Sequence, residues 1–462
     1  MKTNLLYVFA DQWRAHAIGY MNMDQVVTPN IDSFAQESMR FTNAYSTFPL
    51  CSPHRASLMT GKYPFRVGMW TNCKIGLEEK VMLRPQELCI GDVLKAEGYQ
   101  TGYIGKWHLD ASELNFSSNP KSGAKDWDAY TPPGERRHGF DYWLSYGAWD
   151  DHLDPHYWQD DEKQIKPGKW SAEFETDKAI EYMEARKGEE QPFALYLSYN
   201  PPHLPYELVP DRYYDKFKDL EVHYRENVPE EMREKGGLLE TQTRQYYAAV
   251  HGIDEQFGRI LQYLKDHNME ENTIVVLSAD HGEMLGSHGL MSKNVWYEES
   301  IHIPLMMRQK GRIQAVDNAG IFASPDHMPT ILELLDLSVP ETCEGYSHVK
   351  GMFGKDENEP QDMLICSYPG GADAVKAFSD KGLTHKAYGW RGIKDERYTY
   401  VIFNGYAPGE EQKEYLYDNK EDPFQINPEL IDKDCQRTDI LAVREKLKNY
   451  LCKTEDPFLW DR

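Results

Sequence analysis

Thr273-Ile274-Val275-Val276-Leu277-Ser278, followed at once by Ala279-Asp280-His281-Gly282-Glu283, is the clearest strand in the chain. Its β-branched and aliphatic residues do not alternate with polar ones. It therefore reads as a strand buried on both faces, as in a parallel sheet. Residues 5–10, 99–104 and 193–199 have the same character. Each ends in a polar cluster: Asp11-Gln12-Trp13-Arg14, Gly105-Lys106-Trp107-His108 and Asn200-Pro201-Pro202-His203. Residues 41–45 and 303–307 add two more strands, and helical stretches fall at 31–39, 87–97, 172–186 and 239–266. Strands alternating with helices predict an α/β fold, a large mostly parallel sheet flanked by helices on both faces.

Residues 110–170 break the pattern. They are rich in Asp, Pro, Gly, Trp and Tyr without sustained periodicity, which reads as a long ordered loop facing a substrate. From about residue 356 short strands at 363–367, 388–393, 398–403 and 415–417 precede a helix at 440–451. Two units are expected: a catalytic α/β domain over 1–355, and over 356–462 a smaller antiparallel sheet with a packed helix.

In open α/β sheets, ligands bind beyond the carboxyl ends of the parallel strands, so the four polar clusters should converge on one edge. Asp11, Gln12, Asp280 and His281 form an oxygen-rich set with one imidazole, suited to Ca²⁺ and compatible with Mn²⁺ or Mg²⁺. The stretch Cys51-Ser52-Pro53-His54-Arg55-Ala56-Ser57-Leu58-Met59-Thr60-Gly61-Lys62 reads as a short helix. Pro53 suits its first turn and Gly61 its C-terminal stop, so Cys51 stands at a helix N-terminus that favours an anion, with Arg55 one turn on. In the 110–170 loop, Trp149-Asp150-Asp151-His152-Leu153-Asp154-Pro155-His156-Tyr157-Trp158 combines stacking rings with acceptors for hydroxyl groups. Asp150, His152 and His156 are candidate sugar contacts, and Trp390-Arg391 a second anion contact from the C-terminal unit.

The Cys51 stretch resembles the signature of type I sulfatases, in the alkaline phosphatase superfamily: Cys-x-Pro-x-Arg, then a short helix ending in Thr-Gly and a basic residue. Cys51, Pro53, Arg55, Thr60 and Gly61 carry the match. The resemblance implies an alkaline-phosphatase-like fold and a sulfuric ester hydrolase acting on a sulfated saccharide or another small sulfate ester. It implies that a maturation enzyme oxidises Cys51 to formylglycine, whose hydrated aldehyde is the nucleophile. Asp11, Gln12, Asp280, His281 and residue 51 would hold calcium, with Arg55 beside them. Lys106 and Lys293 would clamp the sulfuryl oxygens, His203 would protonate the leaving oxygen, and His108 would take a proton from the remaining hydroxyl. Gln12 and His281 depart from the commoner Asp and Asn and are similar to phosphonate monoester hydrolases of the same superfamily. A phosphonate monoester or phosphodiester hydrolase is therefore the alternative enzyme, and an anion-binding relic with unmodified Cys51 the non-enzymatic one. The Lys106–His108 loop favours sulfate.

At 462 residues the chain can bury a large core, and its formal net charge of −24 argues against a nucleic-acid partner. Seven cysteines lack metal-type spacing and do not form a disulfide framework, so those besides Cys51 are expected to be buried thiols. No apolar run is long enough to span a membrane, and residues 1–10 read as a first strand rather than a leader. The location is then cytoplasmic, or periplasmic or secreted if an export signal has been removed.

Overall fold

The computed structural model describes residues 2–77, 80–354 and 356–460, so the expected junction residue Lys355 lies outside the described residues. Eight strands form one sheet: β1 Asn4–Ala10, β2 Met39–Tyr45, β3 Gln100–Lys106, β4 Tyr142–Tyr146, β5 Phe193–Tyr199, β6 Thr273–Ala279, β7 Leu305–Arg308 and β8 Asp317–Ala323. Their order is β4-β3-β5-β1-β6-β7-β2-β8. Pairing is parallel from β4 through β6 and between β2 and β8, with β7 antiparallel to both neighbours. The four strands with polar endings are therefore four consecutive neighbours, β3-β5-β1-β6, all running the same way. Their unbroken apolar character follows from burial on both faces, with Leu5, Val8, Leu195, Val275 and Val276 wholly enclosed.

Five strands make the second sheet: β9 Asp362–Ser367, β10 Trp390–Asp395, β11 Tyr398–Phe403, β12 Lys413–Asp418 and β13 Glu429–Leu430, antiparallel throughout. The Thr438–Lys453 helix covers one face, setting Ile440, Leu447 and Leu451 against Ile393, Tyr400 and Ile402. The other face buries Ile365, Trp390 and Val401 against Tyr45, Ile301 and Ile321 of the larger unit.

Three strands escape the sequence reading, among them the two-residue Glu429–Leu430. Tyr142–Tyr146 lies inside the supposedly irregular 110–170 stretch, and Asp317–Ala323 is disguised by Asp, Asn and Gly. The helix expected over 87–97 runs only from Ile90 to Ala96, because Asp92 caps the backbone N–H of Cys89. The cysteines also differ from expectation. Cys73, Cys89 and Cys366 are buried, but Cys343 and Cys435 are partly exposed and Cys452 is exposed.

The helix starting at the signature cysteine spans Cys51–Thr60, and every residue of it is buried. Gly61 ends it in the left-handed region (φ 65°), where a Cβ would also sit 2.8 Å from Cys343 Sγ. Gly105, one residue before the end of β3, is similarly required: a Cβ there would lie 2.0 Å from the Ser198 carbonyl oxygen. That close approach seats Lys106 beside the end of β5.

Candidate active site

The helix N-terminus, pinned by Asn72 Oδ1 accepting from the Ser52 N–H (2.9 Å), points Cys51 across the ends of β1 and β6. Cys51 Sγ lies 3.3 Å from His281 Nε2 and 3.5 Å from Asp11 Oδ1. The ligating atoms of Asp11, Cys51, Asp280 and His281 all fall within 4.8 Å of one another, and all four residues are buried. His281 Nδ1 donates to the Gly282 carbonyl at 3.0 Å, which leaves Nε2 as the free lone pair facing the cluster.

Arg55 ties the cluster together. Its Nε donates to Asp280 Oδ2 and its Nη2 to Asp11 Oδ2, both at 3.0 Å. Its Nη1 donates to the Lys106 carbonyl and to Ser198 Oγ, both at 2.7 Å. Lys106 Nζ pairs with Asp11 Oδ2 at 2.8 Å and donates to Asn200 Oδ1 at 3.0 Å. Lys293 Nζ reaches Gln12 Oε1 and lies 2.8 Å from His203 Nε2. The remaining nitrogen of His203, Nδ1, donates to the Leu204 carbonyl at 2.6 Å and sits 3.3 Å from Asp150.

The charges are unevenly balanced. Burial would push the Asp11 carboxyl up, but Lys106, His203, Arg55 and His281 together hold it well below the usual range. Asp280 is raised to about 6, by burial and by Asp11 across the cluster. One carboxylate held ionised while its neighbour is driven toward neutrality marks a site short of positive charge. The donor set fits a divalent cation: two carboxylates, an imidazole nitrogen and the residue-51 side chain converge within 4.8 Å of one another. Burial and Asp11 oppose ionisation of Cys51, yet Lys293, Lys106 and His281 bring its thiol well below the usual range.

The two other histidines differ. Burial and Lys106 lower His108, so it is neutral near pH 7. Its Nε2 donates to the Cys73 carbonyl at 3.1 Å, leaving a buried Nδ1 with no hydrogen-bond partner. His203 is opposed by burial and Lys293, but Asp150 and Asp11 raise it to about 9.

Outside these groups opens a cleft of about 420 Å³, walled by Trp127, Trp149, Asp150 and Leu208. Asp150 forms its inner end, held by Asn200 Nδ2 at 3.1 Å. His152 and His156 do not reach it. His152 Nε2 donates to the His203 carbonyl (2.8 Å), and His156 pairs with buried Asp128 (2.6 Å). Trp390 and Arg391 require a correction as well. Both are fully buried; Arg391 pairs with Asp456 (2.7 Å) and stacks on Tyr368, and Trp390 packs edge-on against Trp296, so neither offers a group to a ligand. Arginine in this position is a staple for the C-terminal unit.

Four participants were not singled out from the sequence. Asn200 and Ser198 lie in or just after β5 and orient Lys106 and Arg55. Glu283, buried behind Gln12, accepts from its amide and from the Leu285 and Ser292 N–H groups, fixing the turn that leads to Lys293. Trp127 projects from the long loop. Asn200 and Glu283 stand inside the polar clusters already recognised; Trp127 carries no local signal.

A family model described as Sulfatase matches residues 3–337, and one described as N-sulphoglucosamine sulphohydrolase, C-terminal, matches residues 286–456. The chain is 35% identical to an endo-4-O-sulfatase of Bacteroides thetaiotaomicron, over 99% of this chain and 94% of that protein. It is 33% identical to an ulvan-active sulfatase of Formosa agariphila, over 92% of this chain and 76% of that one. A solved Bacteroides thetaiotaomicron structure from work on glycosaminoglycan metabolism superposes with a TM-score of 0.88 at 34% identity, covering 99% of this chain and 97% of that one.

Proposed function

The chain belongs to the sulfatase family and is a sulfuric ester hydrolase; from that premise we propose that it removes sulfate from a saccharide, with a formylglycine made from Cys51 by a maturation enzyme and a calcium ion. The observation that carries this reading is the meeting of Cys51, Asp11, Asp280 and His281 with three cationic side chains, at the inner end of a cleft walled by two tryptophans. Indole faces suit the apolar face of a sugar ring, and Asp150 offers an acceptor for a hydroxyl. The activities named for the endo-4-O-sulfatase and the ulvan-active sulfatase support a carbohydrate ester.

In this reading Asp11, Gln12, Asp280, His281 and residue 51 would hold the cation, whose chemistry would be to lower the pKa of the oxygen that the hydrated aldehyde presents. The oxygen-rich donors suit calcium, and His281 makes the same set compatible with manganese or magnesium. Arg55 keeps both carboxylates in register through its two prongs. Lys106 and Lys293 bring positive charge to the oxygens of the transferring sulfuryl group, where charge shifts during the reaction. Lys293 and His203, 2.8 Å apart, hold the proton that neutralises the departing sugar oxygen. His108, with Nε2 committed to Cys73, accepts a proton at Nδ1 when sulfate is released. Among the described residues no helix is long and apolar enough to cross a membrane.

The test couples mass spectrometry to kinetics. Protein made with a maturation enzyme should carry an aldehyde in the Cys51 peptide and release sulfate from members of a sulfated-saccharide panel. It should prefer a sulfate ester to a matched phosphonate monoester by at least about tenfold, or roughly 1.4 kcal/mol of differential transition-state binding. Full activity in Cys51→Ala, or a preference for the phosphonate, would overturn the proposal.

A further inference from the structure

We propose that the cleft is a charge filter, in which Asp126, Asp150 and Asp151 around Trp127 admit a sugar bearing a single anionic group and turn away one with a second sulfate or a carboxylate on the same ring. This rests on the saccharide reading above.

The cleft has a polar inner end and an acidic rim. At the inner end Asp150 lies 3.9 Å from Lys106 and 3.3 Å from His203. Burial would raise its carboxyl, but His203 and Lys106 hold it well below the usual range, so it is an anion in the cleft wall. Asp126 and Asp151 line the same space. Asp151 is oriented by accepting the Asp154 N–H at 3.0 Å, and Asp126 sits on a left-handed turn (φ 52°) directly before Trp127. Trp127 leaves 39% of its surface open, and its ring lies 6.2 Å from that of His108. Ala148, Pro205 and Leu208 supply apolar surface between them.

Trp149, which lines this space, has a buried Nε1 with no hydrogen-bond partner. Positive charge stands at its two extremes, with His203 beside Asp150 at the inner one. Lys106 and Lys293 stand at the inner end, already paired with Asp11 and Gln12, and Lys74 lies over the Trp127 ring at 5.7 Å. A sugar seated on Trp127 with its reactive sulfate against the lysines spans the carboxylates with its remaining substituents. Hydroxyl and acetamido groups can donate hydrogen bonds there, whereas a second anion meets the carboxylates of Asp126, Asp150 and Asp151 that line the same space. Repulsion of that kind disfavours binding by roughly tenfold or more at low salt.

The experiment compares two saccharides with the same reactive sulfate, differing only in a second sulfate on that ring, using the matured enzyme and nitrophenyl sulfate to gauge active sites in every sample. The expected kcat/KM ratio favours the monosulfated sugar by at least about tenfold at low salt and shrinks at about 0.5 M salt as screening rises. In the Asp126→Asn/Asp151→Asn double variant the low-salt ratio should fall by roughly fivefold or more. A wild type that takes the disulfated sugar equally well, or a ratio unmoved in the double variant, would overturn the filter while leaving the saccharide reading intact. Turnover of nitrophenyl sulfate with neither saccharide cleaved would overturn both.

Discussion

Replacing Arg55 by methionine isolates the electrostatic joint of the site. The guanidinium is 1% exposed and donates to Asp280, Asp11, the Lys106 carbonyl and Ser198. Methionine keeps an unbranched apolar stem but leaves two buried carboxylates facing each other with less compensation. Breaking a buried charge network from one side costs about 3–5 kcal/mol. With an unfolding entropy of roughly 2.1 cal/mol/K per residue, a chain of 462 residues loses about 1 kcal/mol of stability per degree at its midpoint. Arg55→Met should therefore lower Tm by about 3–5 °C in chelator. Arg55→Lys, which keeps the charge but cannot reach both carboxylates in parallel, should fall between the two. The measurement is scanning calorimetry with and without saturating calcium. Calcium should narrow the gap, because a cation among Asp11, Asp280 and His281 supplies part of the missing charge. A chelated variant within about 1 °C of wild type would refute the claim that Arg55 compensates these carboxylates.

Chelation of the wild type should abolish turnover and lower Tm, and readdition of calcium should restore both, since a ligand of the native state stabilises it by mass action; Asp280→Ala should show no calcium-dependent rise in Tm. His203→Ala should lose roughly 10²–10⁴ in kcat on a sugar sulfate, whose oxygen departs with a proton, and far less on nitrophenyl sulfate; equal losses would remove His203 from the acid role. His348, buried between Asp326 and Glu359 at 3.1 Å from each, is opposed by burial but raised by both carboxylates to about 9. Its ordinary value is 6.5, so the stability it adds is complete below pH 6.5 and is lost as pH climbs through 9. Denaturant titrations of wild type and His348→Gln should accordingly differ by up to about 3 kcal/mol at pH 6 and converge near pH 10.

The sequence was most readable where local and global demands agree. Strands β1, β5 and β6 are apolar because they are enclosed on both faces, and their abrupt polar endings mark the sheet edge. Asp11, Lys106, His203 and Asp280 are visible for that reason, and Cys51 through its own Cys-x-Pro-x-Arg stretch. Strand β4 was hidden because five residues with two tyrosines and a serine look like their irregular surroundings until pairing with β3 organises them. Trp127 and the fate of Arg391 depend on tertiary contacts alone. An arginine beside a tryptophan reads the same whether it meets a ligand or, as here, Asp456.

The strand order divides the labour of the molecule in a way that bears on its ancestry. Asp11, Lys106, His203 and Asp280 stand at or just beyond four adjacent strand ends rooted in the enclosed centre of the sheet, with the wholly buried Cys51–Thr60 helix laid against them, where an exchange of any one disturbs its neighbours. Trp127, Asp126, Asp150 and Asp151 instead hang from one continuous excursion between β3 and β5, moored at the sheet's margin by β4. Such an excursion can lengthen, shorten or be traded between relatives while the centre is inherited unchanged. Grafting residues 109–170 from one such enzyme onto another should therefore carry substrate preference with the segment, leaving the chemistry to the host.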